Sequence, residues 1–148
     1  MAEYNVKLSQ LHLRVWQEEL GLSGTIDEYG HIEFGRQGPG TLSVTLAPAY
    51  PGSATIEYVF VDDYFEIGLT TESARDLCNT VNMFSSGAML VDWGASIRAK
   101  LPLFYLPLDE TGALPDEGFL QAWIGPSMSE IEKATKEFGY WLRKKAEG

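Results

Sequence analysis

Apolar residues recur at helical spacing from the start of the chain. Leu8, Leu11, Val15 and Leu22 follow one stripe, with Leu13, Trp16 and Leu20 beside it, so the spacing predicts a helix over Lys7 to Gly21 with a broad apolar face. Gly21 suits its C-terminal stop. The period then shortens to two. Thr25–Glu28 and His31–Phe34 flank Tyr29-Gly30, a hairpin signal because glycine tolerates positive φ. Gly35 to Gly40 holds three glycines and a proline and predicts a loop. In Thr41–Ala47, Leu42, Val44 and Leu46 alternate with Thr41, Ser43 and Thr45, the pattern of a half-buried strand, which the prolines of Pro48 to Ser53 interrupt. Thr55–Val61, β-branched and aromatic almost throughout, is the strongest strand signal in the chain. Asp62-Asp63 turns the chain, and Tyr64–Leu69 predicts a returning strand.

A second helix is expected from Thr70 or Thr71, either of which can cap it, with Ala74, Leu77, Cys78, Val81 and Phe84 as its buried stripe and Ser85-Ser86-Gly87 as its end. Ala88–Val91 and Ser96–Leu103 predict another hairpin around Asp92-Trp93-Gly94, and Pro107 to Gly112 a loop. Pro115 fits the first turn of a short third helix, with Asp116 and Glu117 complementing its dipole. Gly125-Pro126 is expected to end that helix, and Ser127-Met128-Ser129-Glu130 has capping-box spacing for a last one carrying Ile131, Ala134, Phe138 and Trp141 or Leu142 inward. About seven strands in runs, with helices outside them, argue for an α+β fold with an antiparallel sheet and against a parallel doubly wound one.

The 148 residues fit one domain, 1–148, and 45% apolar with 22% charged side chains is an ordinary globular balance. The net charge of −10 opposes nucleic acid and anionic membranes alike, since both select a basic surface. Arg143, Lys144 and Lys145 form a basic cluster, which complements the negative end of a helix. A single cysteine rules out an intrachain disulfide, and neither a leader-like opening nor a membrane-length apolar run is present; a cytoplasmic location is expected.

Candidate chemistry is sparse. His12 and His31 stand without cysteine or carboxylate at ligand spacing and are expected to be surface or half-buried side chains. Cys78 falls on a buried stripe and reads as a core residue. The acidic pairs Asp62-Asp63, Asp109-Glu110 and Asp116-Glu117 read as turns or helix starts, and Gly35, Gly38 and Gly40 precede a strand where a phosphate loop needs a helix. No catalytic residue, metal ligand or cofactor site is therefore expected. Asn79 and Asn82, three apart on the second helix, point to a polar contact with a strand or partner, or else to local backbone bonding. Trp93, at a hairpin tip, and Trp123, between breakers, are the tryptophans expected at the surface, where they favour protein contacts.

The stretch Leu77-Cys78-Asn79-Thr80-Val81-Asn82, followed by a turn and Ala88-Met89-Leu90-Val91, resembles the YbjN family of bacterial proteins, and the element order is similar from Leu8 to about Leu142. The resemblance implies a type III secretion chaperone-like fold, a twisted antiparallel sheet packed with helices and often dimeric, and it carries over no active-site positions. The function expected is a non-enzymatic protein-binding module, chaperone-like or regulatory, and a homodimer. The alternatives are a small-molecule-binding or hydrolytic domain built on the scattered carboxylates, and a self-assembling structural dimer.

Overall fold

The computed structural model describes residues 2–46, 53–85, 87–104 and 114–148. Along the chain run α1 (Ala2–Leu20), β1 (Thr25–Ile26), β2 (Ile32–Gln37), β3 (Gly40–Leu46), β4 (Ser53–Val61), a 3-10 turn (Tyr64–Ile67), α2 (Thr71–Phe84), β5 (Met89–Trp93), β6 (Ser96–Phe104) and α3 (Glu117–Glu147). The six described strands form one antiparallel sheet in the order β1-β2-β3-β4-β6-β5. The first four strands are a meander. The chain then crosses through α2 to the far edge, and β6 returns between β5 and β4.

One face of this sheet makes the core. Ile32 and Phe34, then Leu42, Val44 and Leu46, then Ala54, Ile56 and Tyr58, and finally Leu90, Ile97, Ala99 and Leu103 are buried, as strand alternation requires. The helices press on that face: Trp16 of α1 meets Phe34 with ring centroids 5.7 Å apart, and Phe138 of α3 meets Phe60 edge-on at 5.4 Å. The first hairpin is pinned by Asp27, whose carboxylate accepts from the amides of Tyr29 and His31.

Several elements differ from the sequence expectation, each for a local reason. The loop expected over Gly35 to Gly40 shrinks to Gly38-Pro39, because β2 runs on to Gln37 and β3 begins at Gly40. Tyr58 fixes this hairpin: its hydroxyl donates to the Gln37 carbonyl at 2.6 Å and accepts from the Gly40 amide at 3.0 Å. A Cβ at Gly40 would stand 2.5 Å from the Val59 carbonyl oxygen, so only glycine fits there. The strand expected at Tyr64–Leu69 is the 3-10 turn, capped by the Asp63 side chain on the Phe65 amide and ended by Gly68 at φ 83°. This leaves six strands among the described residues where about seven were expected. The loop expected at Pro107 to Gly112 and most of the break at Pro48 to Ser53 lie outside the described residues.

The largest difference is α3, one helix of 31 residues that passes through Pro126 where two helices were expected. Asp116, not Pro115, sits at its start and accepts from the Phe119 amide at 3.0 Å. Ser127 does not cap a new helix. It is buried, and its hydroxyl donates to the Trp123 carbonyl one turn back at 2.6 Å. The inward stripe Leu120, Ile124, Ser127, Ile131, Ala134 and Phe138 steps by four and three without a gap. An interior proline costs about 3 kcal/mol. A break at Gly125 would pull Leu120 and Ile124 out of register with Ile131 and Phe138, and each large apolar side chain is worth about 1.5–3 kcal/mol when buried. Packing therefore outweighs the local breaker.

Candidate protein-binding surface

The second face of the sheet is open. No helix among the described residues packs on it, and the side chains that alternate with the core run across it in register. Ser43, Glu57, Lys100 and Met89 form one row; Thr41, Val59, Arg98 and Val91 form the next. At its border, β5 presents Met89 and Trp93, which are 59% and 67% exposed, while Leu90 between them points into the core. Trp93 stands at the hairpin tip, and the Arg98 guanidinium lies 6.0 Å from its ring centroid, within cation–π range. Arg98 also donates to the Glu57 carboxylate across β4 and β6 and, at 3.3 Å through Nε, to Ser96 Oγ. Ser96 Oγ in turn donates to the Trp93 carbonyl at 2.8 Å. The network ties the hairpin tip to β6 and β4 and leaves the indole largely exposed. Strand alternation made this face legible in sequence, but the pairing of Arg98 with Glu57 and Trp93 depends on register and had no sequence signal.

The edges of the sheet are covered in part. On the β5 side, Asn82 Nδ2 donates to the Leu90 carbonyl at 2.9 Å and its Oδ1 accepts from the Leu90 amide at 2.8 Å, so one side-chain amide stands in for a neighbouring strand. Ser85 Oγ donates to the Ala88 carbonyl at 2.7 Å, and Arg75 reaches the Asp92 carboxylate at 3.4 Å. Thus α2 lies along the β5 edge as a seal. On the opposite side β1 covers Ile32 and Glu33, and beyond it the Gln37 amide donates to the Phe34 carbonyl at 3.2 Å. Asn82 accordingly makes a strand contact, whereas Asn79 is exposed on α2.

Trp123 is half-buried against the core and, with Leu101, Ala122, Pro126, Ser127 and Glu130, lines a shallow apolar depression on α3. His12 is fully buried on α1, not at the surface, and burial lowers its pKa to about 4. His31 Nδ1 accepts from the Leu46 amide at 3.2 Å. Cys78 is buried as expected, its thiol pushed up to about 12 first by burial and then by the charge of Asp92. Phe84, expected inside, is 67% exposed. The described acidic pairs do not converge: Asp62 binds Arg36 at 3.2 Å, Asp63 caps the 3-10 turn, Asp116 caps α3, and Glu117 binds Arg14 at 3.0 Å. Among the described residues no three metal-ligating side chains cluster, and no helix is long and apolar enough to cross a membrane.

No family model matches the sequence, and no curated protein matches it. Solved structures do match the fold. A chain of the HopA1–SchA chaperone–effector complex superposes with a TM-score of 0.57 at 10% identity, over 97% of this chain and 96% of that one. YbjN from E. coli, described as a candidate transcription regulator, superposes with a TM-score of 0.54 at 11% identity, over 82% of this chain and 84% of its own. The protein thus has the YbjN-like, chaperone-like fold that its second helix and the following hairpin suggest: an antiparallel sheet packed with three helices.

Proposed function

We propose that the chain is a non-enzymatic protein-binding module, chaperone-like or regulatory, that holds a partner on the open face of its sheet beside the β5–β6 hairpin. The observation that carries this is Trp93: a tryptophan 67% exposed and braced by the Arg98–Glu57 pair, on a face no described helix covers. A large ring held in one place loses little freedom on binding, which is why tryptophans dominate contact energies. Strand addition is the other common way a sheet takes a peptide, and it needs a row of unpaired edge groups. Here Asn82 takes both edge groups of Leu90 and Ser85 the Ala88 carbonyl on the β5 side, which favours the face over that edge. The fold shared with a chain of a chaperone–effector complex supports the same class of role. Asn79 and Trp123 are secondary candidates at the flanks. The hydrolytic alternative loses support from the separate commitments of the described acidic pairs.

The test is recovery of binding partners from native extract by the wild-type chain and by Trp93→Ala, with circular dichroism to confirm folding. The expected outcome is at least about a tenfold loss of partner recovery in the variant, the size of effect a central aromatic anchor gives. Equal recovery by both chains would remove the open face from consideration.

A further inference from the structure

A second surface lies where the ends of α2 and α3 meet, away from the open face of the sheet. Phe84 of α2 stacks on Trp141 of α3 with centroids 5.8 Å apart and planes 13° from parallel, and Tyr140 meets Trp141 edge-on at 5.2 Å. The cluster is not closed over: Met83 is 79% exposed, Phe84 67% and Tyr140 44%. The charge of the chain also reverses here. Lys133 and Lys136 pair with Glu130 and Glu132, but Arg143, Lys144 and Lys145 follow one another in the last turns of α3 against Glu147 alone, while the chain as a whole stands at −10. Lys144 Nζ sits 5.6 Å from the Tyr140 ring, and Lys145 is one turn on from Trp141. Arg143 and Lys145 meet no carboxylate among the described residues. The helix dipole accounts for cations in the last turn, but it gives no reason for an uncovered aromatic stack beside them.

We propose that this aromatic–basic end binds an acidic amphipathic segment of a partner protein, its apolar side chains on the Phe84–Trp141 stack and its carboxylates against Lys144, Lys145 and Arg143. Charge range decides between this and an extended polyanion. The field of the basic cluster reaches about 8 Å at physiological salt. A short segment fits inside that range, whereas a membrane or a nucleic acid duplex would also confront the acidic remainder of the chain. Both walls of the site are helix, so it is formed before the partner arrives. The inference rests on the reading of the chain as a protein-binding module and adds a second contact to it.

Three probes test it on the full chain: a synthetic amphipathic helix with Leu and Phe on one face and Glu on the other, its twin with Lys in place of Glu, and vesicles of anionic phospholipid. The Glu peptide is expected to bind, to weaken as salt is raised, and to lose about tenfold in affinity in Phe84→Ser and again in Lys144→Glu/Lys145→Glu. Trp93→Ala should leave this binding unchanged, so failure of the open face and failure of this site give different results. Absence of Glu-peptide binding, equal binding of the Lys twin, indifference to the Phe84 and Lys144/Lys145 variants, or a preference for vesicles would each overturn the proposal.

Discussion

Burial on α1 decides the charge of His12. Its pKa falls from 6.5 to about 4 because the folded chain gives the imidazolium no water. Between those values the unfolded chain binds the proton and the folded chain does not, so stability is complete above about pH 6.5 and is lost as the pH falls toward 4. A shift of this size corresponds to about 3 kcal/mol. Urea midpoints measured from pH 7 to pH 4 should fall for the wild type and fall less for His12→Phe; parallel profiles for the two would show that another group controls acid stability. The sequence pointed the wrong way here. His12 lies one turn from both Leu8 and Trp16, and the buried face of α1 is wide enough to include it, but a polar residue beside an apolar stripe reads as the border of that stripe. Cys78 was legible because Ala74 and Val81, one turn to either side, and Leu77 beside it are apolar. A thiol held neutral at about 12 is a poor nucleophile at ordinary pH, which fits a packing role.

Among the elements, those with an uninterrupted period were readable and those decided by distant contacts were not. β3 and β4 follow their alternation, and α2 begins at Thr71 behind its cap Thr70, whose hydroxyl accepts from the Ser73 amide. Phe84 was misplaced because a stripe was extended to the last turn of α2, where the ring stacks on Trp141 and stays largely exposed. α3 was split because Gly125-Pro126 is a strong local breaker, although the spacing of Leu120, Ile124, Ile131, Ala134 and Phe138 carries the register across it. Asn82 shows the limit most clearly: its side chain was marked as unusual within a helix, but its two bonds to Leu90 exist only once β5 lies alongside. Asn82→Ala should leave that amide and carbonyl unpaired, lowering stability by about 1–3 kcal/mol and promoting self-association through the opened edge. Urea unfolding and sedimentation at several concentrations measure both effects; an unchanged midpoint would mean that water replaces the side chain without loss.

At the scale of the whole molecule, acidity and exposed apolar surface act against each other. Two copies bring two charges of −10 together, while Met89 and Trp93 offer surface that a second copy could cover. A homodimer of this chain, which we expect, would need a mainly apolar interface, and raising salt would screen the repulsion without weakening the contact. Sedimentation should therefore find a dimer at micromolar concentration in low and in high salt; a monomer in both would exclude it. The strand order has a consequence for synthesis. β4, the most β-prone segment, is complete at Val61, but its second neighbour begins only at Ser96. At about 5–20 residues per second, residues 62–95 take roughly 2 to 7 seconds to emerge. For that interval one side of β4 has no partner strand, so the growing chain presents a strongly β-prone edge before β6 exists to close it.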